Sequence, residues 1–484
     1  MLNKLFAYAP FQMVSALSVF AVLALQARHL EIEQYGVLAL VMASAEIVRL
    51  FTGQWVNSTF IRFYSQADID ERKEIHDFSF GYTLILLAPA LIVFILAKIF
   101  YEPFTEISTS VVFLFFASKT LFLYFHQVIR LREKTKTYQI AASIQAVTMT
   151  FFTWMAMTYD PSIETALIAM TCSYSFGLAF LSPKGRINLQ ALSIKKSSTY
   201  FKYGIPLALT GLLFGLSTRV DRFIIAELMD SHAVGVYSAL SALIAGVMSL
   251  SFTLIALPLY PEVIKFANDP IKLRSAHAQY LAILITLTLP ILLGICFVST
   301  AATQLLLGEK YSNENELPFY FIALATYLIN LKAHYFDHGL QFTLKTHLTS
   351  YIAVFGLLIN IPTSYLLIRF LDLLGASIAA AITSLAILLL TWYLAKINNY
   401  KFETPPDTKL VIFCNILIIA FATLTKSIIN FNSYYLELIF ITSTCTTTYI
   451  ILLLITNPFK LRELILNFIQ AQRPTAKGKS KHVN

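Results

Sequence analysis

Residues 203–227 read YGIPLALTGLLFGLSTRVDRFIIAE, and this stretch indicates what kind of protein the chain forms. It has the length of a helix that crosses a lipid bilayer, about 20 mostly apolar residues, yet it contains Arg219, Asp221 and Arg222. The rest of the chain is similar in character, because 57% of its 484 residues are hydrophobic and only 13% are charged. A soluble domain of this size could not bury so much apolar surface. The sequence therefore predicts an integral membrane protein.

The apolar pattern predicts an all-α membrane protein with about 14 transmembrane helices. Helices are favoured over barrel strands because the apolar runs are long and uniform, and because a single helix pairs its own backbone groups in lipid. The predicted spans are residues 5–27, 35–56, 78–100, 109–129, 138–158, 163–182, 203–227, 233–257, 278–299, 317–340, 348–369, 374–396, 409–427 and 433–456.

Lysine and arginine are concentrated in every second segment between these spans. With the N-terminus inside, the inner segments hold most of them, and the outer segments hold only Arg28, Lys310, Arg369 and Lys426. This bias is the positive-inside rule, and it predicts that both termini lie in the cytoplasm. The net charge of +9 is then mainly a topology signal. Since the charges form no continuous face, no nucleic-acid partner is expected.

The chain repeats itself at an offset of about 200 residues, and an even number of spans precedes the second copy, as in a parallel repeat. The sequence thus predicts a six-helix bundle at 1–182, a cytoplasmic linker at 183–202, a second six-helix bundle at 203–397, an extra helix pair at 398–456 and a basic cytoplasmic tail at 457–484. The matching positions, in order, are Pro10 and Pro206, Gly36-Val37 and Gly235-Val236, Pro89 and Pro290, and Tyr124-Phe125-His126 and Tyr335-Phe336-Asp337.

The predicted tail begins as an amphipathic segment and ends in a basic stretch. Such a segment lies along the inner leaflet and contacts anionic lipid. A merely solvated end is the alternative for its last residues.

Several ionisable residues lie deep within the predicted spans. Placing such a residue in a membrane helix costs about 2.5–3.5 kcal/mol, so these side chains usually face a bundle interior or a wet cavity. The candidates for a substrate cavity are Glu46, Arg49, Lys119, Arg219, Asp221, Arg222 and Lys332, and the candidates for a coupling-ion site are Asp337 and His338.

The cations among these residues outnumber the anions. If the two bundles face each other, the space between them carries net positive charge and suits an anionic cargo, such as a pyrophosphate or an acidic sugar, since arginine binds phosphate oxygens well. The alternative is a set of structural pairs, and Glu46 and Arg49 are spaced to pair on one helix face. His334 and His338 could form a metal pair, but two ligands are weak evidence for a site. We expect no metal and no cofactor.

Motifs of the common enzyme classes are missing from the sequence. It contains no G-x-x-x-x-G-K-[ST] phosphate loop and no G-x-S-x-G, H-E-x-x-H or C-x-x-C motif. The pattern favours a transporter driven by an ion gradient or by the membrane potential over an enzyme.

Three short stretches carry a family resemblance. The sequences YGIPL (203–207), VDRFII (220–225) and VGVYSA (234–239) resemble the signature of bacterial polysaccharide flippases (Wzx-like). Those proteins belong to the multidrug/oligosaccharidyl-lipid/polysaccharide exporter superfamily. The stretches PLYP (258–261) and LGASIAAA (374–381) fit the same pattern. In the first half YG (35–36) and FIR (60–62) match it more loosely, so the resemblance extends from residue 1 to about residue 397.

The resemblance implies two six-helix bundles that work by alternating access in the bacterial cytoplasmic membrane. The implied cargo is an undecaprenyl-pyrophosphate-linked oligosaccharide for O-antigen, capsule or exopolysaccharide, and the implied protein partner is the polysaccharide polymerase machinery. The extra helix pair is similar to that of the peptidoglycan-precursor flippase, where it forms a lipid groove. Two alternatives stay open: an ion-coupled exporter of drugs or other small molecules on the same scaffold, and a membrane O-antigen polymerase or ligase.

Overall fold

A computed structural model of the chain describes residues 2–181, 194–311, 316–405, 407–429 and 433–460, together with Arg462. Residues 182–193, which include the first part of the predicted linker, and the predicted lipid-binding tail beyond Lys460, apart from Arg462, lie outside the described residues. All regular structure within those residues is helical, without a strand. The first part of the chain forms α1 (Leu2–His29), α2 (Ile32–Thr52), α3 (Gln54–Tyr64), α4 (Ile69–Ile85), α5 (Leu87–Phe100), α6 (Thr109–Leu131), α7 (Thr135–Tyr159) and α8 (Ile163–Leu181).

The second part begins at Ile194, within the predicted linker, and contains several interrupted helices. A π-helical turn at Lys332–Phe336 connects α14 with α15, and 3₁₀ turns lie at Glu309–Tyr311 and Pro458–Lys460. The helices are α9 (Ile194–Ser217), α10 (Val220–Leu228), α11 (Ser231–Ile264), α12 (Pro270–Phe297), α13 (Ser299–Leu306), α14 (Leu317–Leu331), α15 (Asp337–Phe342), α16 (Leu348–Ile397), α17 (Thr408–Ile428) and α18 (Tyr434–Thr456).

The chain divides into two compact units. The first contains residues 1–250 and 302–400, and the second contains residues 251–301 and 401–484. Every residue predicted for the substrate cavity or the coupling ion belongs to the first unit. The two predicted six-helix bundles are a different division of the chain, and they stay a prediction.

Ten helical segments in the described part of the chain are long and apolar enough to cross a membrane. The chain is therefore an all-α, multi-pass membrane protein, as the sequence predicts. The count of about 14 spans stays a prediction. Helix breaks divide some of the predicted spans, and one long helix contains two of them. Span 203–227 is split between α9 and α10, span 317–340 contains the π-helical turn, and two spans share the 50-residue helix α16.

Helix α16 reverses direction near Asp372, between the predicted spans 348–369 and 374–396. Asp372 has φ 51° and ψ −134°, which no helix can accommodate. A Cβ at Gly356 would lie 3.2 Å from Cγ2 of Ile387, and Gly375 lies directly against the carbonyl of Leu367. Residues so far apart in sequence cannot meet in a straight helix that rises about 1.5 Å per residue. Helix α16 is thus a hairpin of two antiparallel halves.

Helices α2 and α11 cross closely at their first turns. Gly36 lies against the carbonyl of Ser231, four residues before Gly235, and Gly235 lies against the carbonyl of Ile32, four residues before Gly36. A methyl group at either glycine would overlap the facing carbonyl oxygen, so only glycine fits. Two positions that the sequence repeat relates to each other are therefore in reciprocal contact.

Basic residues join this end of the first unit to residues 302–311 of the same unit. Arg28, at the end of α1, donates to the carbonyl of Leu305, and Lys310 donates to the carbonyl of Leu30. Burial lowers the pKa of Lys310. Both residues are exceptions to the positive-inside pattern, and both have structural partners in the same unit.

Candidate functional site

Glu46, on α2, binds two cations. The Nη2 atom of Arg49 lies 2.5 Å from its Oε1, and the Nζ atom of Lys119, on α6, lies 2.8 Å from its Oε2. Nε of Arg49 also donates to Oε2 at 3.0 Å. All three side chains are mostly buried, with exposed fractions between 12% and 20%. The pairing predicted from the spacing of Glu46 and Arg49 is present, and these three residues, the Glu46 group, retain one net positive charge.

Helix α9 ends at Ser217, and α10 begins at Val220. Between them Arg219 has φ −141° and ψ −8°, which interrupts the helix that the sequence predicts as one span. Polar side chains compete for the backbone here: Thr218 donates to the carbonyl of Phe214 at 3.0 Å, and Asp221 accepts the N–H of Arg222 at 2.9 Å. A half-helix that starts within the membrane directs its N–H groups and the positive end of its dipole towards the break.

Asp221, in the first turn of α10, has two side-chain partners. Nη1 of Arg222 lies 3.4 Å from its Oδ1, and the hydroxyl of Tyr237, on α11, donates to its Oδ2 at 2.7 Å. The guanidinium carbon of Arg222 also lies 6.0 Å from the centre of the Tyr237 ring. Asp221 therefore reaches a neighbouring helix, where its partner is a neutral hydroxyl.

Arg219 differs from the other buried cations because it has only a neutral partner. Its Nη1 donates to Oγ1 of Thr218 at 2.6 Å, and it forms no ion pair with any described residue. Over a longer range its charge is attracted by Glu46 and Asp221 and repelled by Arg222 and Arg49. Helix α9 brings Arg219 to α2, because Gly211 of α9 lies directly against the α2 backbone. Arg219, Asp221 and Arg222, the Arg219 group, are thus adjacent to the Glu46 group.

Lys332, Asp337 and His338 form a third set, the Lys332 group, around the π-helical turn. Nζ of Lys332 lies 2.8 Å from Oδ1 and 3.0 Å from Oδ2 of Asp337. His338 is buried, with its ring 6.0 Å from that of Phe342. Neither Lys332 nor Asp337 forms an ion pair with a described residue outside this group. A π turn often marks a functional site, but the described contacts leave this group apart from the other two.

The three groups together retain more positive than negative charge. One carboxylate, Glu46, binds two cations, and Arg219 has no carboxylate partner among the described residues, whereas Arg222 and Lys332 have one carboxylate each. Structural pairing explains the latter two pairs and leaves the surplus without a counter-ion in the part of the chain that the structure describes. The described residues contain no cluster of three or more His, Cys, Asp or Glu side chains that could hold a metal.

Neutral polar residues also belong to the site, and charge patterning does not reveal them. Tyr237 and Thr218 bond charged residues of the Arg219 group, and Gln54 accepts a hydrogen bond from Nη1 of Arg49 at 3.4 Å. Such residues are common within membrane helices and give no signal by themselves. The one available clue was that Tyr237 lies in the motif at 234–239.

Sequence comparison identifies related proteins. A family model described as "Polysaccharide biosynthesis protein" matches residues 25–315. The chain is 23% identical over 278 residues to the capsular polysaccharide biosynthesis protein CapF of Staphylococcus aureus, and the aligned region covers 54% of this chain and 68% of CapF. It is also 23% identical over 246 residues to the uncharacterized membrane protein MJ1375 of Methanocaldococcus jannaschii, covering 46% of this chain and only 56% of that relative.

The fold is similar to those of solved transporters. The lipid II flippase MurJ in an inward closed conformation has a TM-score of 0.77 at 15% identity, covering 95% of this chain and 100% of that chain. An inward-facing multidrug resistance MATE family transporter of the MOP superfamily has a TM-score of 0.66 at 12% identity, covering 79% and 94%. At these identities the likeness establishes the fold. The family model spans more than half of the chain and confirms the resemblance seen in the motifs. The chain therefore belongs to the polysaccharide biosynthesis protein family.

Proposed function

We propose that this protein is a flippase that moves an undecaprenyl-pyrophosphate-linked oligosaccharide across the bacterial cytoplasmic membrane by alternating access. The oligosaccharide would be used to build a surface polysaccharide. The family supports the link to polysaccharide synthesis, and the fold, shared with a lipid II flippase, supports a lipid-linked cargo.

The surplus of buried positive charge is the observation that carries this proposal. Arg219 has no carboxylate partner within the described ranges, and Arg49 and Lys119 share Glu46. An uncompensated charge in a membrane protein is costly, so it is expected to have a partner that is present only part of the time. A pyrophosphate diester has two ionised phosphates and suits such a site, because arginine binds phosphate oxygens with two parallel hydrogen bonds.

The helix break next to Arg219 supports the same cargo. Broken membrane helices commonly present a half-helix N-terminus to an anionic group of a transported molecule. Helix α10 begins immediately after Arg219 and carries Arg222 in its first turn. Positive side chains and the positive end of the helix dipole thus lie at one place in the first unit.

The topology that we propose has both termini in the cytoplasm, from the distribution of Lys and Arg. The crossing of α2 and α11 at Gly36 and Gly235 then lies on the outer side and separates the charged groups from the periplasm. We further propose that Asp337 and His338 bind the coupling ion, that the basic tail contacts anionic lipid and that polysaccharide polymerase machinery receives the cargo.

Deleting the gene in its host tests the proposed cargo. We expect loss of a surface polysaccharide and accumulation of lipid-linked oligosaccharide on the inner leaflet, both reversed by the wild-type gene. The matched control is Arg369→Ala, which removes an exposed arginine outside the three groups and should restore the polymer fully. An unchanged set of surface glycans in the deletion strain would contradict the proposal.

An ion-coupled exporter of small molecules is the second candidate, because the fold is shared with a multidrug transporter. The same deletion strain separates the two, since increased drug susceptibility with normal surface glycan indicates the exporter. Energy coupling is tested by reconstitution into vesicles. We expect transport to stop when all ion gradients and the membrane potential are collapsed, and undiminished transport would argue against coupling at Asp337 and His338.

A further inference from the structure

We propose that Tyr237 is a positioning residue for the proposed cargo site: it holds Asp221 in place and thereby orients Arg222 towards a pyrophosphate. This inference rests on the proposed function. Charge patterning does not single out Tyr237, because its side chain is neutral.

The contacts of Asp221 are the first step. Its Oδ2 accepts a hydrogen bond from the Tyr237 hydroxyl at 2.7 Å, a normal length for such a bond, while its Oδ1 accepts the backbone N–H of Arg222 at 2.9 Å and faces the guanidinium at 3.4 Å. Both oxygens of the carboxylate are thus occupied. The weakest of these contacts is the one to the Arg222 side chain.

This imbalance leaves the Arg222 side chain available to an anion. If a phosphate binds the guanidinium of Arg222, Asp221 keeps its two shorter hydrogen bonds, from the Tyr237 hydroxyl and from the backbone N–H of Arg222. Without the hydroxyl, one buried oxygen of Asp221 would lose its donor and would compete more strongly for Arg222, since an unsatisfied buried acceptor is costly.

Tyr237 is well placed to hold a fixed geometry. Its side chain is buried, with an exposed fraction of 3%. It follows Gly235 by two residues, in the turn of α11 that lies directly against α2. A side chain that begins in so tight a backbone crossing has little freedom, so its hydroxyl fixes Asp221 relative to α2 and α11 together.

The experiment measures binding of undecaprenyl pyrophosphate to the purified full-length protein in detergent, with undecaprenyl monophosphate as the comparison ligand. We expect Tyr237→Phe to weaken binding of the pyrophosphate about tenfold, as for the loss of one charge-assisted interaction. The matched control is Tyr124→Phe, which removes another buried tyrosine hydroxyl, bonded to the carbonyl of His76 at 3.2 Å. It should leave the dissociation constant within about twofold of the wild type.

A double-mutant cycle separates positioning from general destabilisation. In an Asp221→Ala background the hydroxyl has no carboxylate to hold, so adding Tyr237→Phe should change binding by less than about twofold. Equal losses with and without Asp221 would overturn the assignment, as would wild-type affinity in Tyr237→Phe alone.

Arg219→Ala distinguishes failure of this inference from failure of the proposed function. If Arg219→Ala abolishes binding while Tyr237→Phe has no effect, the proposed cargo site is supported and the positioning role of Tyr237 is wrong. If Arg219→Ala binds the pyrophosphate as the wild type does, the proposed cargo site is wrong, and the inference about Tyr237 falls with it.

Discussion

The Glu46 group and the Arg219 group both contain two cations for one carboxylate, but they distribute the charges in opposite ways. In the first, Arg49 and Lys119 both contact Glu46, at 2.5 Å and 2.8 Å. In the second, Asp221 is bonded to Arg222 and Tyr237, and Arg219 is left with a threonine hydroxyl. The two cations of the first group share one counter-ion, whereas the second group leaves one cation without a counter-ion among the residues that the structure describes.

This difference suggests separate roles for the two groups, one in the stability of the fold and the other in binding of the cargo. A shared carboxylate holds two helices together, and its removal would leave two buried cations unpaired. A cation without a counter-ion contributes little to the folded state but gives up no partner when it binds an anion. We therefore expect the Glu46 group to matter most for the fold and Arg219 to matter most for the cargo.

Arg219→Ala should have the largest effect on export. We expect surface polymer to fall at least 100-fold, to about the level of the deletion strain, since two charge-assisted hydrogen bonds to phosphate are lost. The protein should still accumulate in the membrane, because no carboxylate is left unpaired. Polymer is quantified in the complemented deletion strain beside an immunoblot of the protein. Arg49→Ala and Arg222→Ala should also prevent export, and normal polymer in all three variants would rule out a role for the surplus charge.

Glu46→Gln should have the largest effect on stability. Removing one partner of a buried ion pair costs about 3–5 kcal/mol, because the remaining charge stays buried, and Glu46 has only 16% of its side chain exposed. We expect a lower Tm in detergent and less protein in the membrane. Asp221→Asn should cost less, because the Tyr237 hydroxyl can bond an amide oxygen. Equal losses in the two variants would contradict the proposed contrast.

A compensating change tests the same prediction for Glu46. Adding Lys119→Met to Glu46→Gln removes one of the two unpaired cations and should recover part of the lost Tm. If the double variant is less stable than Glu46→Gln alone, the loss comes from packing, and charge is not its cause.

The sequence was sufficient for the membrane class and for the identity of the buried charges, because both depend on composition along one helix. The pairing of Glu46 with Arg49 followed from their spacing, and the reversal near Asp372 lies in the gap between two predicted spans. What one helix cannot reveal is which side chains from other helices complete the pairs. Lys119 contacts Glu46 from 73 positions away in the sequence, and Tyr237 contacts Asp221 from 16 positions away. The break at Arg219 was also missed, because the short polar stretch at 217–222 lies within a long apolar run and no proline or glycine adjoins Arg219.

Lys119→Met should have an intermediate effect that falls on export more than on stability. The pair between Glu46 and Arg49 remains, with two hydrogen bonds at 2.5 Å and 3.0 Å, so no buried charge is left without a partner. Only the surplus of the Glu46 group is lost. We expect about a tenfold decrease in export with the Tm close to that of the wild type. A Tm as low as that of Glu46→Gln would show that both cations are needed to hold the carboxylate.

The double variant Lys332→Met/Asp337→Asn should have the smallest effect on cargo binding. The Lys332 group contains one cation for one carboxylate at 2.8 Å, and among the described residues it forms no ion pair with the other groups. Replacing both partners of a buried pair is often neutral, whereas replacing Lys332 alone leaves Asp337 buried and unpaired. We therefore expect the double variant to bind undecaprenyl pyrophosphate within about twofold of the wild type and to have a higher Tm than Lys332→Met. A loss of binding as large as that of Arg219→Ala would mean that the surplus extends over all three groups, and the distinction between shared and unpaired charge would then not explain cargo binding.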